Sequence, residues 1–85
     1  MNTVELLAHI KSEVEKATLE GKKDAVNMYL VIKHYDQLKD MNAVEFAKAI
    51  GRTENYKSEF TKGLRLAEKL REEGYEIGSI FSSAK

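Results

Sequence analysis

Eighty-five residues with 42% apolar and 33% charged side chains make a single domain, 1–85, of globular rather than disordered composition, though one that buries only about 60 to 65% of its unfolded surface. Fourteen basic and fourteen acidic groups cancel, so no overall field draws the chain to phosphate backbones, and the lack of cysteine excludes disulfide frameworks and thiolate metal sites. No apolar run approaches the roughly 20 residues of a membrane span, and Met1 to Ile10 lacks the basic-then-apolar order of a signal peptide, so a cytoplasmic protein with no membrane partner is expected.

Asn2 followed by Glu5 has the spacing of a capping box and predicts the start of a first helix. Leu6, Leu7, Ile10, Val14 and Ala17 fall on one side of it at 100° per residue, and Gly21 supplies a left-handed stop. Asp24 can cap a second helix that runs to about Asp40 without glycine or proline. Met28, Tyr29, Val31, Ile32, Tyr35 and Leu38 cover one arc of it and Val26 with Leu30 form a second stripe, so it is either central or part of a dimer interface. The competing possibility is that Met28 to Ile32, rich in β-formers, is a buried strand.

A second Asn-x-x-Glu box, Asn42 to Glu45, opens a third helix that buries Phe46, Ala47 and Ile50 and ends at Gly51. Thr53 or Asn55 can cap a fourth, with Tyr56, Phe60, Gly63, Leu64, Ala67 and Leu70 on its apolar face. A glycine inside a helix costs about 1 kcal/mol relative to alanine; Gly63 at the middle of a buried stripe therefore predicts that another backbone comes close there. Gly74 and Gly78 bracket a tail, Tyr75 to Phe81, expected to be extended or docked through Ile77, Ile80 and Phe81. The fold expected is all-α, a small bundle of about four helices with a short C-terminal tail.

Within Asn42 to Glu73, a short capped helix, a glycine turn and a longer helix follow in immediate succession. Phe46, Ala47, Ile50 and Gly51, with Phe60 beyond them, supply the small contact residue, the turn glycine and the apolar anchors that such a joint needs. Over residues 43–62 the chain resembles the helix-turn-helix family of DNA-binding proteins. It departs from the pattern at Arg52, where the family prefers an apolar residue, and at Lys57, where a buried aliphatic usually locks the second helix; Tyr56 can take that role by a shift of one position.

The resemblance implies that the third and fourth helices form a helix-turn-helix-like pair and that Thr53, Glu54, Asn55, Ser58 and Glu59 face the major groove of double-stranded DNA. Asn55 suits bidentate adenine contact and Ser58 either base or phosphate. Ser58, Thr61, Lys62, Arg65 and Lys69 form an exposed stripe along the fourth helix that can follow a phosphate backbone. Arg52, Thr53, Asn55, Lys57, Ser58, Lys62, Arg65 and Lys69 are the candidate DNA contacts. The same stripe also reads as a solvated face laced by ion pairs such as Glu59 with Lys62 and Lys69 with Glu73.

Residues 52–73 hold six basic side chains against five Glu, a small excess, so a homodimer with two copies of the footprint is expected of a transcriptional regulator. The alternative is a helical adaptor or inhibitor that binds another protein through Val26 and Leu30. His9 and Glu13, one turn apart, are two metal ligands without a second pair. No phosphate loop, nucleophile elbow or catalytic pairing is present, so neither catalysis nor a cofactor is expected.

Overall fold

The computed structural model describes residues 2–75, and every regular element among them is helical. At the predicted first box, Asn2 Oδ1 accepts from the Glu5 amide at 2.8 Å while the Glu5 carboxylate accepts from the Asn2 amide at 3.1 Å. Two donors that a helix start would leave orphaned are thereby satisfied, and α1 (Thr3–Leu19) begins there. After it come α2 (Lys23–Lys33), a four-residue α3 (Tyr35–Leu38), α4 (Ala43–Ala49), a 3-10 turn at Glu54–Tyr56 and α5 (Lys57–Glu72). The third and fourth helices expected from sequence are α4 and α5.

Three corners of the chain share one construction. At Gly21, Gly51 and Gly74 the backbone takes φ of +73°, +77° and +93°, and each time two reverse hydrogen bonds close the preceding helix. The residue after the glycine donates to a carbonyl five back (Lys22 to Ala17, Arg52 to Ala47, Tyr75 to Leu70), and the glycine itself donates to a carbonyl three back. This is the Schellman closure, which satisfies the last carbonyls of a helix and needs a left-handed residue that only glycine adopts without strain.

Other expectations are corrected. The single helix from Asp24 to about Asp40 is two helices, broken at His34 (φ −107°, ψ 27°), and Asp24 sits in the first turn of α2 instead of capping it. Leu38 beyond the break is fully buried in the main core, while the Tyr35 hydroxyl donates to Glu68 of α5 at 3.1 Å, so the kink follows from where those two side chains are held. Met28 to Ile32 is helical, not a strand. Asn42 caps α4, its Oδ1 accepting from Val44 and Glu45 amides, but the reciprocal Glu45 half of the box is not formed. Neither Thr53 nor Asn55 caps α5; the chain winds into it through the 3-10 turn. Of the predicted tail, Tyr75 is exposed and the remainder lies outside the described residues.

α2 is the central strut, packed on α1 along one side and on α5 along another. Leu6, Ile10 and Val14 of α1, Leu30 and Val31 of α2, Leu38, and Phe46, Ile50 and Phe60 of the α4–α5 pair form one continuous core. Where α2 meets α5, Gly63 is buried, and a Cβ added to it would stand 2.8 Å from Val31 Cγ1. The crowding expected at Gly63 is present, but it comes from the Val31 side chain, while the nearest backbone atom, Met28 Cα, lies at an ordinary 3.8 Å.

Candidate nucleic-acid interface

The α4–α5 joint is fastened from behind by aromatic packing. Phe46 and Phe60 stack with ring centroids 4.2 Å apart and planes 25° from parallel, and both are buried, as are Ala47 and Ile50. Tyr56 packs against this core while Lys57 stays exposed, so the anchoring role does fall one position early. With these anchors buried, the lead-in to α5 stands in solvent: Thr53, Asn55, Lys57 and Ser58 are all exposed. The Ser58 hydroxyl donates to the Asn55 carbonyl at 3.3 Å, and the Asn55 carboxamide has no intramolecular partner among the described residues.

Farther along α5, Lys62, Arg65 and Lys69 are exposed as expected, but each holds a carboxylate of its own helix. The pairs are Lys62 with Glu59 (3.4 Å), Arg65 with Glu68 (3.0 Å) and Lys69 with Glu73 (3.1 Å). Arg65 together with the Tyr35 hydroxyl holds the Glu68 carboxyl below its ordinary pKa. Exposed pairs of this kind contribute only ~0 to 1 kcal/mol, so a phosphate can displace the carboxylates at little cost.

Arg52, the other departure from the helix-turn-helix pattern, is half-buried. Its Nη2 donates to Thr18 Oγ1 at 2.9 Å, which ties the glycine elbow to the end of α1, and its Nε is buried without a partner. A second fastener runs to α2: the Tyr56 hydroxyl donates to Asp24 Oδ1 at 3.2 Å and lies 3.5 Å from the Lys23 carbonyl. Burial, then the Asp24 carboxylate, push the phenol well above its ordinary pKa.

These two contacts bring the α1–α2 corner beside the exposed tip. Lys22 and Lys23, with Thr18, Gly21, Asp24 and Ala25, line a cleft of about 380 Å³ there. Lys11 of α1 lies over Gly51, its Cε 3.3 Å from where a Cβ on that glycine would be. The candidate residues from sequence did not include Lys11, Lys22 or Lys23. The basic pair after Gly21 is visible in the sequence, but its proximity to the tip depends on two long-range side-chain contacts.

Val26 and Leu30, expected as a protein-binding patch, are core: Leu30 is 4% exposed and Val26 packs against the main cluster. The large apolar side chains that do stand in solvent are Val4, Leu19, Tyr29, Leu66 and Tyr75. His9 and Glu13 gain no further ligand, since no group of three or more His, Cys, Asp or Glu able to hold a metal occurs among the described residues. Among those residues, no helix is long and apolar enough to cross a membrane.

A helical bundle with a glycine elbow braced by buried apolar side chains and a solvent-facing tip on the following helix defines the helix-turn-helix-like class. The chain matches the family model described as HTH-like domain over residues 2–73 and belongs to that family. This membership suggests, at a coarse level, a protein of the DNA-binding regulator type. The match runs from the cap of α1 to the end of α5, well beyond the 43–62 segment that carried the sequence resemblance. None of the curated proteins and none of the solved structures matches the chain.

Proposed function

We propose that the protein is a small transcriptional regulator that binds double-stranded DNA as a homodimer, with the lead-in to α5 in the major groove. The observation that carries this reading is the exposure of Thr53, Asn55, Lys57 and Ser58 in front of a glycine elbow anchored by the buried Phe46, Ile50 and Phe60, in a chain of the HTH-like family. Asn55, with no partner of its own, offers a donor and an acceptor to an adenine edge, and Ser58 offers its hydroxyl to base or phosphate. Lys57, Lys62, Arg65 and Lys69 supply backbone contacts along the exposed side of α5. Arg52 acts from behind, holding the elbow on α1 through Thr18. A second copy joins through the apolar side chains exposed on α1 and α2, Val4, Leu19 and Tyr29, and doubles the basic footprint.

Titration of a random-sequence duplex at increasing salt tests the reading. Binding should weaken steeply, by roughly 0.9 in log–log slope for each phosphate contact. Lys62→Glu combined with Arg65→Glu should reduce affinity at least tenfold with helicity unchanged. Absence of binding at low salt removes DNA from the proposal and leaves a protein-binding role. A chain that sediments as a monomer with and without DNA removes the second copy.

A further inference from the structure

Several cations without an ion pair meet at one corner of this molecule; Lys33, Lys39 and Lys48 also have none among the described residues. Lys62, Arg65, Lys69, Arg71 and Lys16 are each neutralised by a carboxylate within 3.4 Å. Lys22, Lys23, Lys57 and Lys11 form no ion pair among the described residues, and all four lie around the Gly51–Tyr56 elbow. Their neighbours include acids: Asp24 is occupied by the Tyr56 hydroxyl, while Glu20 and Glu54 flank the corner in sequence. Lys22 is exposed and Lys23 half-buried, both lining the cleft where α1 turns into α2. These side chains meet a phosphate without first giving up a carboxylate, so the corner adds to the α5 stripe an anion-attracting surface of its own.

We infer that Lys22 and Lys23, at the α1–α2 corner, form a second anchoring surface for the phosphate backbone of duplex DNA, beside the tip of α5 and fastened to it through Tyr56. The inference rests on the DNA-binding reading above and extends it from one helix to two. With α5 placed in a groove, a lysine pair displaced to the side of its lead-in reaches the bordering phosphates. That fixes the angle at which the tip enters. Such contacts set orientation and affinity without reading sequence.

The test compares the full chain with Lys22→Gln/Lys23→Gln and with a control of equal charge, Lys33→Gln/Lys39→Gln. Lys33 lies ten residues along α2 from Lys23, roughly 15 Å away. With a random-sequence duplex as probe, the corner variant should bind at least tenfold more weakly. Its salt slope should be shallower by about 2, at ~0.9 per lost phosphate contact. The control should match the wild type, and circular dichroism should give equal helicity for all three. Wild-type affinity and slope in the corner variant would overturn the inference while the DNA reading stands, and an equal loss in the control would reduce it to net charge. If the wild type itself shows no salt-dependent binding, both fall together.

Discussion

Asn27 is the only polar side chain fully buried among the described residues, and neither its carboxamide oxygen nor its nitrogen has a partner. A buried group in that state costs about 1 to 3 kcal/mol, whereas an apolar side chain of similar shape carries no such penalty. Asn27→Leu is therefore expected to raise the urea midpoint by an amount corresponding to ~1 kcal/mol; a lowered midpoint would show that the carboxamide is satisfied by a bound water. Individual residues were unevenly legible in the sequence. The aromatic anchors Phe46 and Phe60, the turn glycine Gly51 and the shift of anchoring from Lys57 to Tyr56 all follow from local pattern. The partner of Arg52 does not, because Thr18 is 34 positions away and a half-buried arginine leaves no periodic trace.

Between elements, Gly63 of α5 sits closely against Val31 of α2. An added methyl would lie 2.8 Å from Val31 Cγ1 and 3.0 Å from its Cβ, and Val31 is fully buried with a β-branched side chain that has little room to rotate. Alanine would gain about 1 kcal/mol in helix propensity against an overpacking cost of about 1 to 3 kcal/mol. Gly63→Ala is expected to lower stability, and combining it with Val31→Ala should cost less than the sum of the two single changes, as chemical denaturation of all four proteins would show. Additive losses would mean that the helices separate instead of clashing. Helix beginnings marked by asparagine and ends marked by glycine were legible because both signals act within one turn of chain. The break at His34 was not: no glycine or proline stands there, and the kink is fixed by Leu38 and Tyr35 reaching different neighbours. Likewise the 3-10 entry to α5 replaces a capped start because Tyr56 is drawn inward to the core and to α2.

The molecule as a whole has a pH range set by a few groups. Burial, then Lys33 and His9, lower the His34 pKa from 6.5. The unfolded chain thus takes up a proton there before the folded one does, and stability falls as pH drops below 6.5. Glu68, held below its ordinary 4.5 chiefly by Arg65, adds a further loss in acid. On the alkaline side, Tyr56 and Tyr35 are raised above 10.0 chiefly by burial, so the unfolded chain ionises first and stability falls beyond that pH. Urea midpoints are expected to form a plateau between about 6.5 and 10, with His34→Gln flattening the decline between pH 6.5 and 5 and Tyr56→Phe flattening the alkaline one. A profile unchanged by both substitutions would assign the pH range to other groups. The class of fold, the location of the tip and the pairing along α5, which joins residues three or four apart on one helix, were visible in 85 letters; the placing of the α1–α2 corner beside that tip was not, since it depends on contacts more than thirty positions apart. One guanidinium and one phenol hold the front of α5 to the first two helices, α1 and α2. A fragment of residues 42–73, or that stretch transplanted onto a foreign scaffold, would keep its caps and its stacked rings yet lack the struts that aim it; the direction in which the tip points is a property of the entire bundle and cannot be excised as a cassette.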